Sequence, residues 1–368
     1  MEGSVRPQRG LEAIRPYVPG TPIEEVERRF GLRDVIKLAS NENPLGVSPK
    51  AVAAMQEALA EVNRYPDGQS HALRSALSDA LGVPIDWLLA GNGADGLIVQ
   101  VSLGYLEDGD EVVVSRSSFA VYDIYAAVMQ ARLVKTPLTG DYGIDLEAMA
   151  TAIGPRTKLV YVCNPNNPTG TVVTAAEVDA FLARVPEDVL VVFDEAYVEF
   201  VEIPDYPDSI AFLREGRRNV LVLRTLSKSC GIAGIRVGYA IGLPEVLEPL
   251  WRVKEPFAVN RVAEAAGIAA LADDAFLART ISVNREEREC LYAGFDRLGL
   301  RYVRSHTNFV LVQLGPRAAE IHQRLLERGV IVRPCVQYEL PEHLRITVGR
   351  PEETARLLAT LEEALAEG

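Results

Sequence analysis

The sequence predicts an α/β fold: a large unit with a mainly parallel sheet covered by helices on both faces, then a smaller α+β unit. Three observations lead there. Between Trp87 and about Ile241, apolar strand candidates alternate with helix candidates, the rhythm of βα units. Several of these strands are unbroken runs of Val, Leu and Ile without polar alternation, as expected where both faces of a sheet are buried. After about Leu298 the order changes, and strands at Thr307–Leu314, Val330–Arg333 and Leu344–Val348 surround helices at Ala318–Glu327 and Pro351–Ala366.

Taken in order, the first forty or so residues carry Pro16, Pro19, Gly20 and Pro22 around one short charged helix candidate, and read as an arm laid over something else. Ser48 can cap a helix whose first turn accepts Pro49 and whose Val52, Met55, Leu59 and Val62 share a face. A second helix begins near Ser70, buries Leu73, Leu77 and Leu81, and stops at Gly82. The strands of the large unit are Glu111–Ser115, Arg132–Thr136, Lys158–Cys163, Val189–Phe193, Asn219–Arg224 and Ile235–Ile241. Between them lie helices Phe119–Gln130, Asp145–Ile153 and one opened by the capping box Thr174-Ala-Ala-Glu177. A long helical stretch follows from Pro244 to about Leu298. The expected division is an arm with part of the small unit over 1–45, a large unit over 46–255 and a small unit over 256–368.

Bulk properties remove whole classes of function. A net charge of −13 without a basic segment argues against a nucleic-acid partner. No apolar run approaches the ~18 residues that span a bilayer, and MEGSVRPQRG lacks the apolar core of an export signal. Cys163, Cys230, Cys290 and Cys335 are scattered, as are His71, His306, His322 and His343, so a reduced, cytoplasmic chain with no metal site is expected.

Four segments carry chemistry. Gly91-Asn-Gly-Ala-Asp-Gly96 enters a helix and offers backbone N–H groups to a phosphate. It also spells the dinucleotide fingerprint, but the strand that follows, Glu111–Ser115, ends in Arg116-Ser-Ser and not in an acid. Asn164-Pro-Asn-Asn-Pro-Thr-Gly170 leaves a strand end. It is either a tight polar turn or a ligand-facing loop in which Asn167 donates. Asp194, ending the strand before Glu195-Ala-Tyr197, either caps the next element or meets a cation in the crevice. Thr225-Leu-Ser-Lys228 follows another strand, with Arg236 eight residues on.

Asn-Pro-Thr-Gly, then Asp-x-x-Tyr, then Ser-Lys and a downstream Arg, in that order, resembles the fold-type I pyridoxal-phosphate aminotransferases. Within them the chain is similar to the histidinol-phosphate aminotransferase subfamily. That likeness rests on Tyr17-x-Pro-Gly, Leu38-Ala-Ser-Asn-Glu-Asn-Pro44, Asn63-Arg-Tyr-Pro66, Thr307-Asn-Phe-Val-Leu-Val312 and Leu344-Arg-Ile-Thr-Val-Gly349, and runs from about Leu11 to the end. It implies a seven-stranded large sheet and a pyridoxal 5'-phosphate cofactor held by Lys228 as a Schiff base, with Lys228 then moving the proton of the reacting carbon. Asp194 would pair with the pyridinium nitrogen, and Asn167 and Tyr197 with the 3-oxygen. The phosphate would rest on Ala94, Asp95, Ser227 and Arg236, with Tyr65 reaching it from a second subunit of a homodimer. Phe119 takes the ring-stacking place where the family commonly has Tyr. Arg345 would bind the substrate anion, with Arg333 a second candidate beside its plain reading as a surface residue; Asn43 and Tyr17 would line the pocket. Gly96, where relatives often carry Glu, and Ser229-Cys230 after the lysine depart from the family pattern.

The reaction so implied is transamination between L-histidinol phosphate and 2-oxoglutarate. Competing readings are an aromatic amino-acid aminotransferase, a threonine-phosphate decarboxylase, a cofactor-binding regulator without catalysis and, from another class, a nicotinamide dehydrogenase using Gly91–Gly96.

Overall fold

The computed structural model describes residues 5, 7–14, 16 and 18–367. Two sheets organise them. The strands in chain order are β1 (Ile36–Leu38), β2 (Leu88–Gly91), β3 (Glu111–Ser115), β4 (Arg132–Thr136), β5 (Thr157–Cys163), β6 (Leu190–Asp194), β7 (Val220–Thr225), β8 (Gly238–Gly242), β9 (Arg301–Val303), β10 (Phe309–Gln313), β11 (Val330–Pro334) and β12 (His343–Thr347). The large sheet has seven strands in the order β2-β8-β7-β6-β5-β3-β4. All run parallel except β8, which opposes both β7 and β2.

The unalternating strands behave as their composition requires. Val160, Val162, Val191, Phe193, Val220 and Val222 feed one core cluster, while Leu159, Tyr161, Leu190, Val192, Leu221 and Leu223 feed another. Successive side chains point to opposite faces, and both faces are dry. Each fully buried aliphatic side chain contributes about 1.5–3 kcal/mol, so the sheet is a rigid base for whatever its strand ends carry.

Several elements differ from the sequence reading. β2 is a further strand, too short at four residues to show a period. The last strand of the large sheet starts at Gly238 instead of Ile235, because a 3₁₀ turn at Ala233–Ile235 and a left-handed Arg236 (φ +61°) precede it. The stretch after Pro244 is three helices, Pro244–Val253, Arg261–Leu271 and Asp274–Arg297. Asn260 and Asp273 cap the second and third through their side-chain oxygens. Helix Arg261–Leu271 falls inside the expected unit 256–368, yet its Ala263, Ala266 and Ala270 are buried in the large core. These small residues let it lie close to helices Pro49–Ala58 and His71–Leu81. On the first of those, Val52 is exposed, as are Leu59 and Val62 beyond it; Ala51 takes the buried position.

The five-stranded sheet has the order β1-β11-β12-β10-β9. β1, from the N-terminal region, pairs parallel with β11, so the smaller sheet is closed by residues from both ends of the chain. Among the described residues no helix is long and apolar enough to cross a membrane.

Candidate active site

A cavity opens at the carboxyl ends of β5, β6 and β7, the position where open α/β sheets hold ligands. Of the residues singled out from sequence, Ala94, Asp95, Phe119, Asn167, Asp194, Tyr197, Ser227, Lys228, Arg236, Arg333 and Arg345 line it together.

At one end, Ala94 and Asp95 lie in the first turn of helix Gly93–Tyr105, where free N–H groups and the helix dipole favour an anion. Arg236 donates to Asp95 Oδ2 at 3.2 Å, and Ser227 Oγ accepts from Thr225 Oγ1 at 2.9 Å. The backbone is packed so closely that only glycine fits twice. A Cβ on Gly93 (φ +71°) would stand 2.5 Å from Arg236 Nη2, and one on Gly238 would stand 2.8 Å from Ala94 N. Backbone amides, a hydroxyl and a guanidinium make a donor set for a phosphate monoester.

In the middle, Asp194 is 3% exposed. Its Oδ2 accepts from Tyr122 Oη at 2.5 Å and its Oδ1 from the Ala196 amide at 3.1 Å. Burial pushes its carboxyl up to about 6 against the pull of those two donors. Such a carboxylate suits a protonated ring nitrogen, which would be its cation. Lys228 has the opposite shift, its amine pushed down to about 8 by burial first and then by the charges of Arg345 and Arg236. Its Nζ lies 5.8 Å from the centre of the Tyr197 ring. Tyr197 Oη accepts from Asn41 Nδ2 at 2.9 Å.

At the other end, Arg345 on β12 is 4% exposed. It donates to Ala39 O at 2.7 Å, to Asn167 Oδ1 at 2.5 Å and to Tyr338 Oη at 3.4 Å, and lies over the rings of Phe309 and Tyr338. The bond to Asn167 uses the amide oxygen, leaving its N–H₂ for the cavity. Arg333 sits opposite Arg345 across β11 and β12 and is buried, which removes the surface reading; its guanidinium holds Val18 O at 2.6 Å.

Two residues stand apart. Asn43 donates to Ser229 O at 2.9 Å and to Thr280 Oγ1 at 3.1 Å, so it braces the turn after Lys228 from outside the cavity wall. Tyr65 is 79% exposed, stacked on Phe257 at 4.4 Å, and does not line this cavity. Tyr17 lies outside the described residues.

Sequence reasoning missed Asn41, Tyr122 and Tyr338. Asn41 was within reach, since it belongs to the segment Leu38–Pro44 already singled out. Tyr122 stands one helical turn after Phe119, a spacing that puts both on one face. Tyr338 follows β11 in a short 3₁₀ turn and carries no motif.

The family model for aminotransferase class I and II matches residues 33–361. A histidinol-phosphate aminotransferase of Symbiobacterium thermophilum is 50% identical over 97% of this chain and 98% of its own length. One from Moorella thermoacetica is 48% identical over 96% of this chain and 92% of its own. Among solved structures, histidinol-phosphate aminotransferase from Sinorhizobium meliloti in complex with pyridoxal-5'-phosphate superposes with a TM-score of 0.90. It is 30% identical, covering 100% of this chain and 99% of its own. With motifs, sheet order and cavity in agreement along the whole length, the chain belongs to the aminotransferase class I and II family, in its histidinol-phosphate aminotransferase branch.

Proposed function

We propose that this chain uses pyridoxal 5'-phosphate to move an amino group between L-histidinol phosphate and 2-oxoglutarate, giving imidazole-acetol phosphate and L-glutamate. One observation carries the reading: Lys228, Asp194 and Arg345 converge on a single cavity whose far end is a phosphate cradle. The residues fit the cofactor. Gly93 and Gly238 let the helix start, Arg236 and β8 approach closely, which gathers Ala94, Asp95, Ser227 and Arg236 on one wall as donors for a phosphate. Asp194 is the acceptor for the ring nitrogen, Asn167 and Tyr197 are the partners of the 3-oxygen, and Phe119 supplies a stacking face.

When bound, the cofactor supplies an electron-withdrawing ring that takes up the charge left on the substrate's reacting carbon. Lys228 Nζ, partly neutral near its lowered pKa, would take the proton from that carbon and deliver it to C4′ of the cofactor, the shift that amino transfer requires. Asp194 holds the ring-nitrogen proton in place. Arg345 grips the substrate anion through its guanidinium fork, which matches a carboxylate or a phosphate equally well. That versatility answers the recognition problem, because glutamate presents an α-carboxylate whereas histidinol phosphate presents a phosphate monoester. Arg333 is a second anion ligand on the same wall, and Asn43 braces the turn after Lys228 from outside it.

The assembly proposed is a cytoplasmic homodimer with shared sites. Exposed Leu59, Val62, Tyr65 and Phe257 form an apolar face of the kind a second copy covers, and Tyr65 would serve the partner's phosphate cradle from there. Mixed dimers of a Tyr65 variant and a Lys228 variant should regain one working site; no regained activity would count against sharing. The large unit is proposed to begin at 46 and to continue through Leu271, given the packing of helix Arg261–Leu271.

The deciding measurement compares kcat/KM for histidinol phosphate, phenylalanine, tyrosine and glutamate as donors. A clear preference for histidinol phosphate is expected, and equal efficiency with the aromatic donors would overturn the narrow assignment.

A further inference from the structure

The carboxylate of Asp194 is buried deeply enough to be drawn toward its neutral form, and a neutral acid could not hold a proton on a ring nitrogen. Something has to oppose that drift. The groups facing Asp194 come from four places. Tyr161 and Cys163 approach from β5, both pushed up by burial, and Asp95 and Glu195 contribute negative charge. None of these favours a carboxylate; the Ala196 amide does, donating to Oδ1 at 3.1 Å, but it leaves Oδ2 to another donor. The fourth is Tyr122, in helix Val121–Val128, 1% exposed, whose hydroxyl donates to Asp194 Oδ2 at 2.5 Å.

Tyr122 is fixed on both sides. Its ring stacks on Tyr161 at 4.3 Å with 12° between planes, and meets Phe119 edge-on at 5.7 Å and 88°. It thus touches both residues assigned to the cofactor ring, the one beneath the nitrogen and the one on the face. Tyr122 does not itself line the cavity, so it acts on the site through Asp194 and Phe119, which do.

We propose that Tyr122 is the positioning residue of this site: its hydroxyl keeps Asp194 ionised and in one orientation, and so sets how firmly the ring nitrogen stays protonated. This rests on the cofactor reading given above. Because a hydrogen bond to a charged acceptor favours the charged form, its loss should raise the Asp194 pKa by roughly one unit or more.

The test is the affinity of the apoenzyme for pyridoxal 5'-phosphate between about pH 5 and pH 8. Tyr122→Phe keeps both ring contacts and removes only the hydroxyl. The expected result is that the acid limb of the binding curve moves up by about one pH unit relative to the parent chain, with about tenfold weaker binding below both limbs. Asp194→Asn should abolish that limb, and adding Tyr122→Phe to it should change nothing further. An unmoved limb in Tyr122→Phe, or an equal weakening in the Asp194→Asn background, overturns the assignment while leaving the cofactor reading intact. Failure of the parent chain to bind the cofactor overturns both.

Discussion

The cofactor end of the cavity rests on loops leaving three adjacent parallel strands, so Asn167, Asp194 and Lys228 inherit their spacing from the sheet itself. The anion-binding end is assembled differently. Arg345 stands on the smaller sheet and is held by Ala39 from the N-terminal segment and by Asn167 from the large unit. The first arrangement gives fixed geometry to a group that stays; the second lets parts of the chain that are far apart meet around a substrate that comes and goes. Rigid support for one and composite support for the other is a division the chemistry of alternating substrates rewards.

The sharpest way to break this comparison is at the cofactor end. Lys228→Ala should lower turnover roughly 10⁴-fold, removing the proton carrier, and should remove the borohydride-sensitive band near the visible edge. Retained turnover would mean the amine is misassigned. The ionic footing below it should matter nearly as much. Arg224 Nη2 meets Glu195 Oε2 at 2.7 Å, with Glu195 almost fully buried, so Arg224→Ala should cost about 3–5 kcal/mol in urea unfolding. At the other end, Arg345→Ala should reduce kcat/KM for donor and acceptor alike by about 10²–10³-fold, the cost of unpairing a buried anion, with the cofactor spectrum unchanged. Loss confined to cofactor binding would erase the distinction between the ends.

The smallest effect links the two ends. The rate at which apoenzyme takes up pyridoxal 5'-phosphate should rise with pH and level off near 8, as Lys228 loses its proton. Arg345 is a cation that helps to lower that value, so Arg345→Ala should move the break upward, delaying the neutral amine to higher pH. An unmoved break would show that the two ends are not coupled by charge.

Much of the cofactor end was legible in advance because strand, turn and polar residue are contiguous there: Asp194 ends β6, and Lys228 follows β7 by three residues. The seven-stranded sheet came from family likeness, since β2 is too short to announce itself and β8 is delayed by the turn holding Arg236. The substrate end was readable only in pieces. Arg345 was nameable from Leu344-Arg-Ile-Thr-Val-Gly349, but its partners Ala39 and Tyr338 have no local signal that they meet it. Asn43 shows the limit of motif transfer, because its amide is spent on Ser229 and Thr280 instead of on the cavity. The exposed Leu59 and Val62 had the right helical spacing for a buried face, yet no spacing tells whether the cover is the same chain or another.

The pairing of Ile36–Leu38 with Val330–Val332 also sets an order of events during synthesis. The larger sheet can collect all its strands once Gly242 has been made, whereas the smaller one waits with an early strand unpaired until Val330–Pro334 has followed, about ninety residues later. Arg345, proposed to hold the substrate anion, takes its place only then, so on that proposal a nascent chain that had already captured its cofactor would still be unable to select a substrate.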